Sequence, residues 1–117
     1  MFPKKNRITK TEFNDLLKNS RVIQSNFFSL RFIKKDTKNL PKFAFVVSKK
    51  VAKNASDRNK LKRRGFHALR DILFKNGSIE ITGFTGAFFF KKEAVDMSFE
   101  EIKKDIAVLL KKSDVIE

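Results

Sequence analysis

The stretch from Asp57 to Phe74 constrains this chain more than any other, because it reads as one helix with two opposed faces. At about 100° per residue, Leu61, Gly65, Ala68, Leu69 and Ile72 form one stripe. Lys60, Arg63, Arg64, His67 and Arg70 lie opposite. A stripe carrying Gly and Ala is shaped to pack closely on a sheet, and it makes a poor membrane-adsorbing face. The remaining chain must therefore supply a sheet. Ser56 or Asp57 is placed to cap the helix, and Asn76-Gly77 to end it, since both tolerate left-handed backbone.

The flanking segments read as the parts such a helix needs. A length of 117 residues suits one domain, 1–117, and 41% hydrophobic content with 14 Phe is enough for a core. Lys10 to Lys18 reads as a helix with Phe13, Leu16 and Leu17 on one face, opened by a Thr9/Glu12 capping box. Asn26 to Ile33 reads as a strand, with Phe28, Leu30 and Phe32 on one side and Phe27, Ser29, Arg31 and Ile33 on the other. After a polar turn from Lys34 to Pro41, Lys42 to Ser48 is a second strand. A further strand lies near Gly86–Phe90, with Ile79–Thr82 as its hairpin partner. Ser98 with Glu101 opens a last helix to Lys112, its apolar stripe being Phe99, Ile102, Ile106, Leu109 and Leu110. The expected class is α+β, with helices packed on one small sheet.

The charge is local. Formal net charge is +14, and residues 49–70 hold nine Lys and Arg against Asp57 alone, whereas residues 71–117 are close to neutral. Arg63, Arg64 and the lysines beside them lack acidic partners at i,i+4 spacing. Like charges this close destabilise a helix unless an anion neutralises them, and nucleic-acid phosphates do so with release of counterions. With no Cys and only His67, neither disulfides nor a Cys/His zinc site are available. The opening MFPKKNRITK has no signal-peptide character, and no apolar run approaches the roughly 20 residues of a membrane span, so a cytoplasmic protein is expected.

Val46 to Arg70, VVSKKVAKNASDRNKLKRRGFHALR, resembles the protein subunit of bacterial ribonuclease P. The shared pattern is a Ser-Lys-Lys-Val strand end, a short connection and an Arg-Asn-Arg-x-x-Lys-Arg-Arg helix, here Arg58-Asn59-Lys60-Leu61-Lys62-Arg63-Arg64, in register to within one position. The early Lys10-x-Glu12-Phe13 helix, the Phe-rich first strand and the late Ser-Phe-Glu-Glu helix start agree with it. Lys60 stands where the family usually has Arg, Ala52 where Gly is common, Leu17 where an aromatic is frequent, and Lys91 where Arg often follows the late strand.

The resemblance implies a compact α/β sandwich with a small, mostly antiparallel sheet and a left-handed βαβ crossover, as in ribosomal-protein-like folds. It implies a non-catalytic subunit of an endoribonuclease. The RNA subunit, with its own Mg²⁺, removes the 5′ leader of precursor tRNA, and no cofactor is expected on the protein. Carried over by position, Lys49, Lys50, Lys53, Arg58, Asn59, Lys60, Lys62, Arg63 and Arg64, with His67 and Arg70 on the same face, would meet ribonuclease P RNA. Phe13, Leu17, Phe27 and Arg31 would receive the leader. Three other readings stay open: a ribosomal-type RNA-binding or assembly protein, a DNA-binding helix, and a self-sufficient nuclease. The last needs converging carboxylates, whereas Asp96, Glu100, Glu101 and Asp105 read as solvent-facing charge on and before the last helix.

Overall fold

The computed structural model describes residues 3–75, 78–79 and 81–116. A 3-10 turn, Lys4–Asn6, precedes α1 (Lys10–Lys18), β1 (Arg21–Gln24), β2 (Phe28–Lys34) and β3 (Lys42–Val46). Then come α2 (Ala55–Leu73), the two-residue β4 (Phe74–Lys75) and β5 (Ser78–Ile79), and β6 (Phe84–Phe90). A second 3-10 turn, Lys92–Asp96, leads into α3 (Phe99–Lys112).

The main sheet has the order β1-β2-β6-β3. β1 pairs antiparallel with β2, and β2 antiparallel with β6, while β3 and β6 run parallel. Parallel neighbours cannot be joined by a hairpin, so the chain crosses over between them, and α2 is that crossover. The period-2 alternation divides the sheet. Phe28, Leu30, Phe32, Phe43, Phe45, Phe84, Phe88 and Phe90 face one way and are buried against Leu61, Ala68 and Leu69 of α2 and Ile102, Ile106, Leu109 and Leu110 of α3. Phe28, in register with Phe90, packs its ring 4.7 Å from it, edge to face. α1 rests on β2 and β6 from the other side.

α1 and the start of α3 form where the capping residues place them. The Thr9 hydroxyl accepts from the Glu12 amide and the Glu12 carboxylate accepts from the Thr9 amide, closing both halves of the box. At α3 the Ser98 hydroxyl accepts from the Glu101 amide and donates to the Glu101 carboxylate, so only the first half of that box forms.

Other boundaries differ from the sequence reading. α2 starts one turn's fraction earlier, at Ala55, with Asn54 as its N-cap rather than Ser56 or Asp57. The Asn54 side chain reaches Asp57 instead of a backbone amide. The helix ends at Leu73, because Phe74 turns extended to begin β4; Asn76-Gly77 lie outside the described residues. β5 pairs with β4, not with β6 as the expected Ile79–Thr82 hairpin required. β1 is not among the expected strands, because it is four residues long with three of them exposed and so shows no alternation. Asp105 corrects a further expectation: it is 8% exposed rather than solvent-facing. Its carboxylate accepts from the Ser25 hydroxyl at 2.5 Å and from the Phe27 amide at 3.0 Å, so the turn before β2 supplies the partners that let it be buried. Lys91 holds the same turn, its ammonium donating to the Ser25 carbonyl at 2.8 Å.

Candidate nucleic-acid interface

Gly65 decides how α2 sits. A Cβ there would lie 2.6 Å from the Phe45 ring, so only glycine lets the helix reach this close to β3. Phe45 in turn stacks on Phe88 at 5.0 Å and takes the edge of Phe66 at 4.8 Å. With Leu61, Gly65, Ala68, Leu69 and Leu73 fixed inward, Lys60, Arg63, Arg64, His67 and Arg70 are exposed. The tight turn after β3, in which the Val51 and Ala52 amides both donate to the Ser48 carbonyl, leaves Lys49 and Lys50 exposed at its tip.

These cations are not equivalent. Arg58 donates to the Ala52 and Lys53 carbonyls at 3.0 and 2.7 Å, so its guanidinium fastens the loop that carries Lys53. Arg64 reaches the Met97 carbonyl at 3.4 Å, linking α2 to the approach to α3. Arg70 lies 5.5 Å over the Phe74 ring. His67 is turned toward Asp71, 3.8 Å away, and toward Phe99. Lys49, Lys50, Lys53, Asn59 and Lys60 are exposed, and Lys62 half-buried. Among the described residues none of the lysines and arginines from Lys49 to Arg70 forms an ion pair. That is the arrangement a phosphate backbone neutralises, and one that an ordinary surface helix avoids.

The other face of the sheet is only partly covered by α1, which leaves an open strip beside the helix, here called the groove. The register places Val22, Arg31, Ala87 and Ala44 in one cross-strand row, and Gln24, Ser29, Phe89 and Val46 in the next. α1 stands over it with Leu16 fully buried and Phe13 packed 6.1 Å from Phe89. Leu17 on the helix and Val22 on the edge strand keep 43% and 45% of their surface exposed, and Leu40 and Val108 are similarly exposed elsewhere. Arg31, half-buried, is the cross-strand partner of Val22. Phe27 sits just outside this row, half-buried against the core cluster.

One ion pair sets the helix on the sheet. The second Glu12 oxygen accepts from Lys42 at 2.6 Å, tying the first turn of α1 to the first residue of β3. Burial pushes the Glu12 carboxyl up, but the hydrogen bonds from Lys42 and Thr9 and the Lys42 charge outweigh it and hold it below its ordinary value. Beside the pair, Asp15, Ile33, Leu40 and Thr85 line an open pocket of ≈ 430 Å³.

The sequence profile of the Ribonuclease P family matches residues 2–114. The chain belongs to that family. A ribonuclease P protein component from Carboxydothermus hydrogenoformans is 40% identical over 65 residues, which is 55% of this chain and 55% of that relative. The chain thus matches about half the length of this curated relative. Two solved structures share its fold. The RNase P protein of Staphylococcus aureus superposes with a TM-score of 0.77 at 21% identity, covering 96% of this chain and 98% of that one. That of Thermotoga maritima gives 0.74 at 23% identity, covering 95% and 97%.

Family membership leaves the groove residues to be found in the structure. Val22 and Phe89 belong to it and escaped the sequence reading. Val22 sits on a strand too short to show alternation, while Phe89 is one of three consecutive Phe whose facing only the register decides. No helix among the described residues is long and apolar enough to cross a membrane, and none of their His, Asp or Glu side chains cluster in threes.

Proposed function

We propose that this chain acts as the protein subunit of ribonuclease P. It binds the catalytic RNA through the exposed face of α2 and the 49–54 loop, and takes the 5′ leader of precursor tRNA into the groove between α1 and the sheet. The RNA subunit, with its own Mg²⁺, makes the cut that leaves the mature 5′ end. The observation that carries this reading is the row of α2 lysines and arginines without acidic partners among the described residues, on a helix whose docking at Gly65 leaves Lys60, Arg63, Arg64 and Arg70 exposed.

The physical role follows from charge and shape. RNA subunit and precursor tRNA are both polyanions and repel on approach; a protein of net charge +14 between them lowers that repulsion, so less Mg²⁺ suffices. Leaders differ in sequence, which suits a groove of Phe13, Leu17 and Val22 with Arg31: apolar surface for any base, one cation for the backbone. Holding the leader favours precursor over product, because mature tRNA has nothing to place there. Lys49, Lys50, Lys53, Lys60, Lys62, Arg63 and Arg64 would meet RNA directly, and Arg58 acts by shaping the loop.

Reconstitution tests it. The protein is added to a bacterial ribonuclease P RNA at low Mg²⁺, and leader release from precursor tRNA is followed. Cleavage that needs both components is the expected result. Tight binding without stimulation would instead favour a ribosomal-type RNA-binding module, and cleavage by the protein alone would overturn the division of labour.

A further inference from the structure

Arg7 lies about fifty residues before the basic helix and outside the family motif, yet the fold brings it to that helix. Its backbone is locked along the free edge of β3: Arg7 bridges Phe43 in parallel, Ile8 donates to the Phe43 carbonyl at 3.0 Å, and the buried Asn6 side chain donates to the Pro41 carbonyl at 2.9 Å. The guanidinium carbon stands 5.0 Å over the ring of Phe66. Phe66 follows Lys62 and Arg63 by four and three positions, so all three share one side of α2.

Two features of this guanidinium remain without a protein explanation. Its Nε is buried with no acceptor. Among the described residues, no acidic side chain pairs with it. An aromatic face supports an arginine from one side and leaves its planar fork free for an oxyanion, which is the geometry by which arginine recognises phosphate. With Nε enclosed, an incoming phosphate meets the guanidinium through its two Nη groups, and its charge offsets the cost of holding an unpaired, half-buried cation.

We propose that Arg7, held on Phe66, is a phosphate-contacting residue of the RNA-binding face, extending it from α2 across the edge of β3. This rests on the reading of α2 as that face. The ligand is the sugar-phosphate backbone of RNA, with no base selectivity, since the site offers only a planar cation.

The test measures binding of the full chain to a ribonuclease P RNA over a range of salt concentrations. Arg7→Gln is expected to weaken binding roughly tenfold and to lower the slope of log K against log salt by about one, the signature of one lost phosphate contact. Arg7→Lys keeps the charge and should keep the slope. An unchanged slope in a folded Arg7→Gln protein would overturn the proposal and leave Arg7 as a cover for Phe66. Should Arg7→Gln not fold, acylation of the Arg7→Lys amine decides: protection on adding RNA supports the contact, and equal reactivity with and without RNA sinks it. Arg63→Glu with Arg64→Glu, run in parallel, separates the two failures. If that pair matters and Arg7 does not, only the extension falls; if neither matters, α2 is not the RNA face.

Discussion

The two faces of the sheet are built from the same strands but meet different demands. One buries eight Phe and Leu side chains of β2, β3 and β6 under α2 and α3, and this face holds the fold together. The other carries Ser29, Arg31, Ile33, Thr85 and Phe89, all half-buried, under the single nine-residue helix α1. Because the first face makes a complete core, the second need not be sealed, and Leu17 and Val22 can stay exposed there. The basic surface is a third region, the back of the helix that seals the core.

The sharpest way to break the comparison is to truncate one Phe on each face. Phe28→Ala removes a fully buried ring and should cost about 3–5 kcal/mol, whereas Phe89→Ala, half-buried in the groove, should cost about 1–2 kcal/mol. Denaturant melts followed by far-ultraviolet circular dichroism would show it, as the chain has no Trp or Tyr to report by fluorescence. Similar losses at both sites would mean the groove face is core as well.

Charge reversal separates core packing from RNA contact. Arg63→Glu with Arg64→Glu should weaken RNA-subunit binding by roughly 100-fold and reduce the salt slope by about two, with Lys111→Glu plus Lys112→Glu far less harmful. Equal losses from the two pairs would remove α2 from the interface. In the groove, Phe13→Ala should lower affinity for precursor tRNA about tenfold without changing affinity for mature tRNA, by loss of apolar contact with the leader. A matched decline for both RNAs would make Phe13 a purely structural partner of Phe89.

The smallest effect concerns the Glu12–Lys42 tie. The folded carboxyl lies below its ordinary value of 4.5, so its stabilisation is complete above that pH and is lost as pH falls through the folded value. Glu12→Gln should therefore flatten part of the acid decline in melting temperature while leaving a small deficit at neutral pH. With both side chains about a third exposed, screening keeps the difference small. An acid limb identical to wild type would show that the tie carries no stability.

What was legible in the sequence follows from how local each signal is. α1 and α3 were readable because a capping residue and the carboxylate three positions on declare the first turn by themselves. The inward stripe of α2 was readable from its period, and its basic face from composition. β1, the β4–β5 pairing and the burial of Asp105 were not, since each depends on a partner remote in sequence: β1 on β2, Asp105 on Ser25 and Phe27 eighty and seventy-eight positions earlier. The proposed site follows the same rule. The family motif marks the helix residues, but Val22, Phe89 and Arg7 acquire their places only when the register and the β3 edge are formed.

The strand order carries a consequence for how the chain assembles. β6 lies between β2 and β3, yet it is the last strand of the sheet to be synthesised. Until Phe84–Phe90 emerges, the β1–β2 hairpin and β3 are two fragments with no strand to join them, and α2 has only part of the surface it packs on. Pairing over so long a separation makes closure of the sheet slow relative to helix formation. A nascent chain halted before Phe84 thus displays the cationic helix before the core that orients it exists, and insertion of one strand converts a loosely charged polypeptide into a shaped binding surface.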